Sequence, residues 1–231
     1  MSHKIPKEGT RIVAIDGPAG AGKSTVARAA AKRLGFAFLD TGAMYRAATL
    51  RAMRHDLSWD DEAALTRCAV AMNYEQKEIE GSTRIFLDGE DVSELIRSPE
   101  VTRHIFHLDQ IPALRRHLVG LQQQFGHKQA TVAEGRDMGT VVFPDALCKI
   151  YLDASLDCRV ERRALEMEAK GLTVDRELLH REIRERDENN MKRAESPLRP
   201  ADDAVLLDTT TKTPEQVIES IVKLALERLS P

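Results

Sequence analysis

Cysteine is scarce in this chain: Cys68, Cys148 and Cys158 are the three present, and no two form a C-x-x-C pair. That pattern argues against a zinc ribbon or a disulfide framework and points to a reducing compartment. No apolar run is long enough to span a bilayer. The opening stretch Met1–Gly9 lacks the apolar core of a secretory signal. A cytoplasmic protein without a membrane partner is therefore expected. Neither sign of charge is in excess, since 34 Lys and Arg face 37 Asp and Glu for a net charge of −3. Such a balance argues against general binding to a nucleic-acid polymer or a membrane surface. No internal repeat or low-complexity tract interrupts the chain, and no Asn-Lys-x-Asp quartet is present to read guanine as a regulatory GTPase would.

What remains is ordinary for an enzyme. The 231 residues are 42% apolar and 31% charged, enough for one large domain, residues 1–231, or a core with an insertion. One stretch organises the rest. Gly17-Pro-Ala-Gly-Ala-Gly-Lys-Ser24 fits G-x-x-x-x-G-K-[ST], a phosphate-binding loop. Before it, Arg11–Asp16 is a short β-branched run that reads as a buried strand. After it, Thr25–Leu34 is rich in helix formers and is closed by Gly35. Strand, glycine turn and helix in that order leave unpartnered backbone N–H groups at a helix start, where they hold phosphate oxygens. Lys23 adds a cation near the β- and γ-phosphates, and the Ser24 hydroxyl is placed to ligate Mg²⁺.

Further along, Phe36–Asp40 reads as a second strand and Thr41 opens a helix to about His55. Ser58 looks like the cap of a helix ending near Ala71. Met72–Ile79 and Thr83–Asp88 read as an antiparallel pair, an insertion on a βα core. Ser98-Pro99 starts a helix, Pro112 is expected to break it, and Ala113–Phe125 continues. Lys128–Glu134, Ala146–Asp153 and Ala204–Asp208 are the remaining core strands. Gly135–Gly139 is a turn that either aims Arg136 and Asp137 at a ligand or carries them as a surface ion pair. Ser155 caps a helix to about Lys170. Residues 173–193 are polar nearly all round and arginine-rich, which suits either a solvated helix or a cationic cover. Pro214 opens a final amphipathic helix. His104 and His107 lie three residues apart without a third ligand at motif spacing, so they read as surface or half-buried histidines rather than metal ligands. Asp16, Asp40, Asp153 and Asp208 end strands, and any of them could hold Mg²⁺ through water. Five strands each followed by a helix predict a five-stranded parallel sheet wrapped by helices.

Several stretches then resemble one family. Ile15–Val26, Leu39–Arg46, Leu87–Ser93, Glu134–Pro144, Arg186-Asp187, Arg193, Pro197-Leu198 and Asp203–Thr210 are similar to bacterial cytidylate kinases, from about Arg11 to about Leu229. The resemblance implies a P-loop kinase fold with a nucleoside monophosphate-binding insertion over residues 59–127 and an arginine-rich lid over residues 172–201. It implies γ-phosphate transfer from ATP, with Mg²⁺, to CMP or dCMP, in pyrimidine nucleotide metabolism and by a monomer. It assigns Gly17, Pro18, Ala19, Gly20, Ala21, Gly22, Lys23, Ser24 and Thr25 to ATP. Thr41, Arg46, Arg115, Arg136, Asp137, Arg186 and Arg193 go to CMP. Lys23, Arg136 and Arg186 take the catalytic part, and Ser24 with Asp16 the metal. Two positions depart from the family pattern: Phe106 stands where a serine is common, and Asn190 where an aspartate is common. Both face the sugar in the family, so the choice between CMP and dCMP stays open. The other readings are a P-loop kinase with a different small-molecule acceptor and a non-catalytic nucleotide-binding switch.

Overall fold

Ile12–Asp16 forms strand β1, and all five of its residues are buried. The computed structural model describes residues 11–169 and 171–229. Met1–Gly9, where no secretory signal is expected, lies outside the described residues, as does Lys170. Strand β2 is Ala37–Asp40, and β3, β4 and β5 are Tyr74–Ile79, Ser82–Leu87 and Glu90–Asp91. Thr131–Glu134 is β6, Cys148–Asp153 is β7 and Val205–Asp208 is β8. The helices are α1 Lys23–Leu34, α2 Thr41–Arg54, α3 Glu62–Val70, α4 Pro99–Asp109, α5 Pro112–Lys128, α6 Leu156–Glu168, α7 Arg176–Lys192 and α8 Pro214–Leu229.

The larger sheet has the order β2-β6-β1-β7-β8, and β1 lies parallel to both β6 and β7. Being flanked on both sides explains why β1 reads as an unbroken apolar run. Its alternate residues Val13 and Ile15 pack with Val132, Ile150 and Leu152 against Val26, Ala27 and Ala30 of α1 and Ile218 and Ile221 of α8. On the other face, Gly126 near the end of α5 leaves room for the Phe143 ring, since a Cβ there would approach it to 2.6 Å. The chain divides into two compact units, Asp40–Gln124 and the rest of the described residues. The 40–124 unit holds the antiparallel β3-β4-β5 sheet, around a core that includes Leu65, Ile85, Leu87, Ile96, Leu108 and Leu114. It begins at Asp40, so α2 groups with the inserted strands.

Local differences from the sequence expectation have local causes. Asp61, not Ser58, caps α3, accepting from the Ala64 amide at 2.8 Å; Ser58 accepts from Asp60 instead. Pro112 opens α5 rather than breaking a helix, because a first-turn proline has no amide to lose. α5 runs on through Lys128, which delays β6 to Thr131. The expected turn at 135–139 continues as a wide helical turn over Met138–Val142.

Candidate active site

Asp16 ends β1 and is buried. Its Oδ1 accepts from the Met138 amide and its Oδ2 from the Gly139 amide, both at 2.8 Å. The carboxylate therefore shapes the turn that carries Arg136 and Asp137. Burial raises its pKa to about 7, more than the two amides lower it, and Asp137 nearby adds to the rise.

The glycine-rich loop follows at once. Gly17 has φ 150°, and a Cβ there would lie 2.0 Å from the Leu152 carbonyl oxygen, so only glycine fits against β7. Gly17, Pro18, Ala19 and Ala21 are buried, Gly20 and Gly22 partly so, and Thr25 is exposed. Lys23 opens α1 and is buried, with its Nζ donating to the Pro18 carbonyl at 2.7 Å. Burial lowers the Lys23 pKa well below the usual lysine range. Arg136 and Arg186 push it down further, while Glu134 and Asp16 oppose them. Lys23 thus shares one electrostatic neighbourhood with Asp16, Glu134, Arg136 and Arg186.

The next contact is one that the sequence reading missed. Ser24 Oγ donates to Glu134 Oε1 at 2.5 Å. Glu134 ends β6, the strand beside β1, and is buried. The rule that singled out Asp16, Asp40, Asp153 and Asp208 as strand-end carboxylates applies to Thr131–Glu134 as well and would have found it. Those others have local work. Asp153 accepts from Ala154, Asp208 from Thr210, and Asp40 caps α2 while pairing with Arg97 at 3.1 Å.

Arg136 Nη1 donates to the Gly135 carbonyl at 3.2 Å, and the neighbouring Asp137 is buried. Arg186 lies on α7, and Arg193 follows that helix as a buried residue. Within the 40–124 unit, Thr41 is buried at the start of α2. Arg46, further along α2, donates to Thr102 Oγ1 of α4 at 2.7 Å. Arg115 of α5 is buried, donates to the Asp109 carbonyl at 3.2 Å and lies 5.5 Å over the Tyr45 ring. Thr41 and Arg46 are thus carried by α2 and Arg115 by α5, with Thr102 of α4 holding Arg46. His104 and His107 stack on Trp59 at 4.6 and 5.1 Å. Among the described residues, no three His, Cys, Asp or Glu side chains gather as a metal cage. No described helix is long and apolar enough to cross a membrane.

Comparison with known proteins brings this geometry together with sequence. A family model described as cytidylate kinase matches residues 13–227. A cytidylate kinase from Pelotomaculum thermopropionicum is 48% identical over 91% of this chain and 93% of its own length. One from Pseudomonas aeruginosa is 46% identical over 92% of this chain and 93% of its own. A solved structure of an uncharacterized protein from Eubacterium ventriosum matches 95% of this chain and 99% of its own, with a TM-score of 0.50 and 13% identity. That last match bears on the fold alone.

Proposed function

The chain belongs to the cytidylate kinase family, and from that premise we propose that it transfers the γ-phosphate of ATP to CMP and dCMP, giving ADP and CDP or dCDP. The observation that carries this reading in the structure is the setting of Lys23. A buried lysine at a helix start, its charge disfavoured first by burial and then by Arg136 and Arg186, gains from an added anion even with Glu134 and Asp16 beside it. A polyphosphate supplies that anion. Phosphoryl transfer needs positioning and charge neutralisation more than covalent chemistry. The attacking CMP phosphate is already anionic at neutral pH, so no strong general base is required.

Roles follow. The backbone amides of Gly17–Thr25 and Lys23 hold the ATP phosphates. Arg136 and Arg186 spread the charge on the transferred group, and Arg46 holds the acceptor phosphate. Thr41, Arg115, Asp137 and Arg193 go to the cytosine, as the family resemblance implies, with the Asp137 carboxylate accepting from its amine. The Ser24 hydroxyl and Glu134 carboxylate, 2.5 Å apart, are hard oxygen donors of the kind Mg²⁺ takes alongside substrate phosphates and water. A Mg²⁺ held by these two residues would supply neutralisation of phosphate charge. We assign it to Ser24 and Glu134 rather than to Ser24 and Asp16, because Glu134 meets the Ser24 hydroxyl directly, whereas Asp16 is tied to the Met138 and Gly139 amides and burial favours its protonated form. Residues 172–201 act as a lid that excludes water and suppresses ATP hydrolysis. The free thiols of Cys68, Cys148 and Cys158 support a reducing, cytoplasmic setting, and we take the enzyme to act there as a monomer in pyrimidine nucleotide metabolism.

A coupled-enzyme panel of CMP, dCMP, UMP and AMP with ATP and Mg²⁺ tests the reading. CMP or dCMP should be the best acceptor. UMP, which offers a carbonyl to Asp137, should fall behind by about 1–3 kcal/mol in kcat/KM. Asp137→Ala should narrow that gap. UMP equal to CMP in the wild type would remove Asp137 from base recognition.

A further inference from the structure

The phosphate-binding loop is gripped from outside by two side chains far away in sequence. The Ala19 amide donates to Asp187 Oδ1 of α7 at 3.1 Å. The Ala19 carbonyl accepts from Arg159 Nη1 of α6 at 2.9 Å. Arg159 Nη1 also pairs with Asp187 Oδ2, and its Nε donates to the Ala154 carbonyl at 3.0 Å. Asp187 and Arg159 are 5% and 8% exposed. The loop also presses on α6, since a Cβ at Gly20 would lie 3.1 Å from the Cβ and the carbonyl oxygen of Arg159.

Both peptide units flanking the Ala19 Cα are therefore held, one by its N–H and the other by its C=O. The second matters most. A peptide followed by glycine flips cheaply, because glycine tolerates either hand, and Gly20 already has φ 76°. Holding the Ala19 carbonyl on Arg159 keeps the Gly20 N–H, which points the opposite way across that peptide plane, turned away from α6. A buried ion pair is weak evidence for stability in itself. An ion pair whose remaining contacts are backbone groups, two of them the N–H and C=O of Ala19 and the third the Ala154 carbonyl after β7, is arranged for position.

The same contact ties down the helix. On α7 the buried residues are Leu179, Ile183, Asp187 and Asn190. Leu179 and Ile183 pack on Val160 and Ala164 of α6. One turn on, Asp187 continues that face, and its contacts are the loop at Ala19 and Arg159 of α6. Arg186 is the adjacent residue and acts electrostatically on Lys23.

We propose that Asp187 and Arg159 are positioning residues, a clamp that fixes the direction of the Ala19–Gly20 peptide and sets Arg186 beside the phosphates. The clamp rests on the loop being the ATP site. Its test is ADP affinity by calorimetry, together with KM for ATP and kcat, in Asp187→Ala, Asp187→Asn, Arg159→Ala, Arg159→Lys and the double alanine variant. Asp187→Ala should weaken ADP and raise KM for ATP by about 10–100-fold, the scale of a misplaced reactant. Asp187→Asn keeps an acceptor for the Ala19 amide and should recover part of the loss. The double variant should be no worse than the worse single one, since both act on the same peptides. ADP affinity and KM for ATP within twofold of wild type in Asp187→Ala, with only the melting temperature lowered, would overturn the clamp. Should that variant fail to fold, Asp187→Asn and Arg159→Lys decide, and wild-type ADP affinity in both would overturn it equally. ADP binding reads the clamp whichever acceptor the enzyme uses, so a wild type that ignores CMP would sink the acceptor assignment alone.

Discussion

The glycine-rich loop and helix α7 are arranged around the same chemistry by opposite means. The loop works through backbone. Its residues 17–19 and 21 are buried, and its shape depends on glycine where β7 and α6 come close. Helix α7 works through long side chains, some of whose charges are answered on the surface, as Arg176 is by Glu161 and Glu168 and Lys192 by Glu188. Such exposed pairs contribute little to holding a helix. What holds α7 is one narrow face, apolar at Leu179 and Ile183 and polar at Asp187 and Asn190. The lesson is that a loop built from backbone carries its own geometry, whereas a charged helix gets its geometry from whatever its few buried positions touch.

The largest effect should come from the loop. Lys23→Met is expected to lower kcat by at least about 10²–10³-fold, the cost of losing one preorganised charge at a transition state. The fold should persist, since the change removes a buried cation whose burial is unfavourable. Circular dichroism and melting alongside turnover check both halves. Wild-type turnover in a folded variant would remove the loop from catalysis.

Two carboxylates at neighbouring strand ends sharpen the contrast next. Glu134→Gln should weaken the apparent Mg²⁺ affinity by about 10–100-fold, the usual scale for a lost ligand or supporting group. A metal titration of the initial rate reads it. Asp16→Asn should leave that titration nearly in place and instead cost about 1–3 kcal/mol of stability. An amide offers one acceptor oxygen where Met138 and Gly139 each need one. Equal metal dependence in both variants would put the metal elsewhere.

On the helix side, Asn190→Asp should shift the CMP to dCMP ratio of kcat/KM by about 0.5–1.5 kcal/mol, since a charged acceptor gains more from a sugar hydroxyl than a neutral amide does. Asn190 is buried on the working face of α7. Phe106 is 48% exposed with its ring 3.9 Å from that of His107, so Phe106→Ser should shift the ratio less. If neither substitution moves the ratio beyond error, these positions do not read the sugar.

The sequence made the loop legible because its signals are local. A β-branched run, glycines at fixed offsets and the Gly35 cap define β1 and α1 without knowledge of anything distant. The same holds for Ser98-Pro99 and Ser155, which cap α4 and α6 as expected. Helix α7 reads as polar all round because its four apolar residues, Leu178, Leu179, Ile183 and Met191, do not line one face, and two of them, Leu179 and Ile183, are the buried ones. Nothing local marks Asp187 as the continuation of Leu179 and Ile183, since its partners lie on the loop and on α6. The 135–139 segment is similar: it is a plain turn until Asp16 takes the Met138 and Gly139 amides. Arginine positions were visible as a set, but which of them face Lys23 depends on how α7 lies on α6.

The smallest signal, a fraction of a proton, separates loop from helix most directly. In the free protein Lys23 titrates well below its ordinary value of 10.5, chiefly because it is buried. A polyphosphate beside it favours the charged form and raises that value again. Between the lowered and restored values, binding must therefore take up a proton. Asp16 has a pKa raised to about 7 and an added anion raises it further, so near pH 8.5 the comparison is made with Asp16→Asn in every variant, which leaves the lysine. ADP calorimetry in buffers of differing ionisation enthalpy should show net uptake with Lys23 in place and none in Lys23→Met. Asp187→Ala, which loosens the loop without removing the lysine, should keep the uptake while binding more weakly. Stability carries the same signs. Above the lowered Lys23 value and below 10.5, the unfolded chain holds a proton the native one lacks, so ligand-free stability rises with pH there. Between about 4 and 7 the native Asp16 holds a proton the unfolded chain lacks, so its contribution falls as pH rises. The ligand-free melting temperature should accordingly dip near neutrality, and saturating ADP should flatten the alkaline side of the dip. Uptake of equal size in Lys23→Met would assign the proton to another group and leave the buried lysine without its part in phosphate binding.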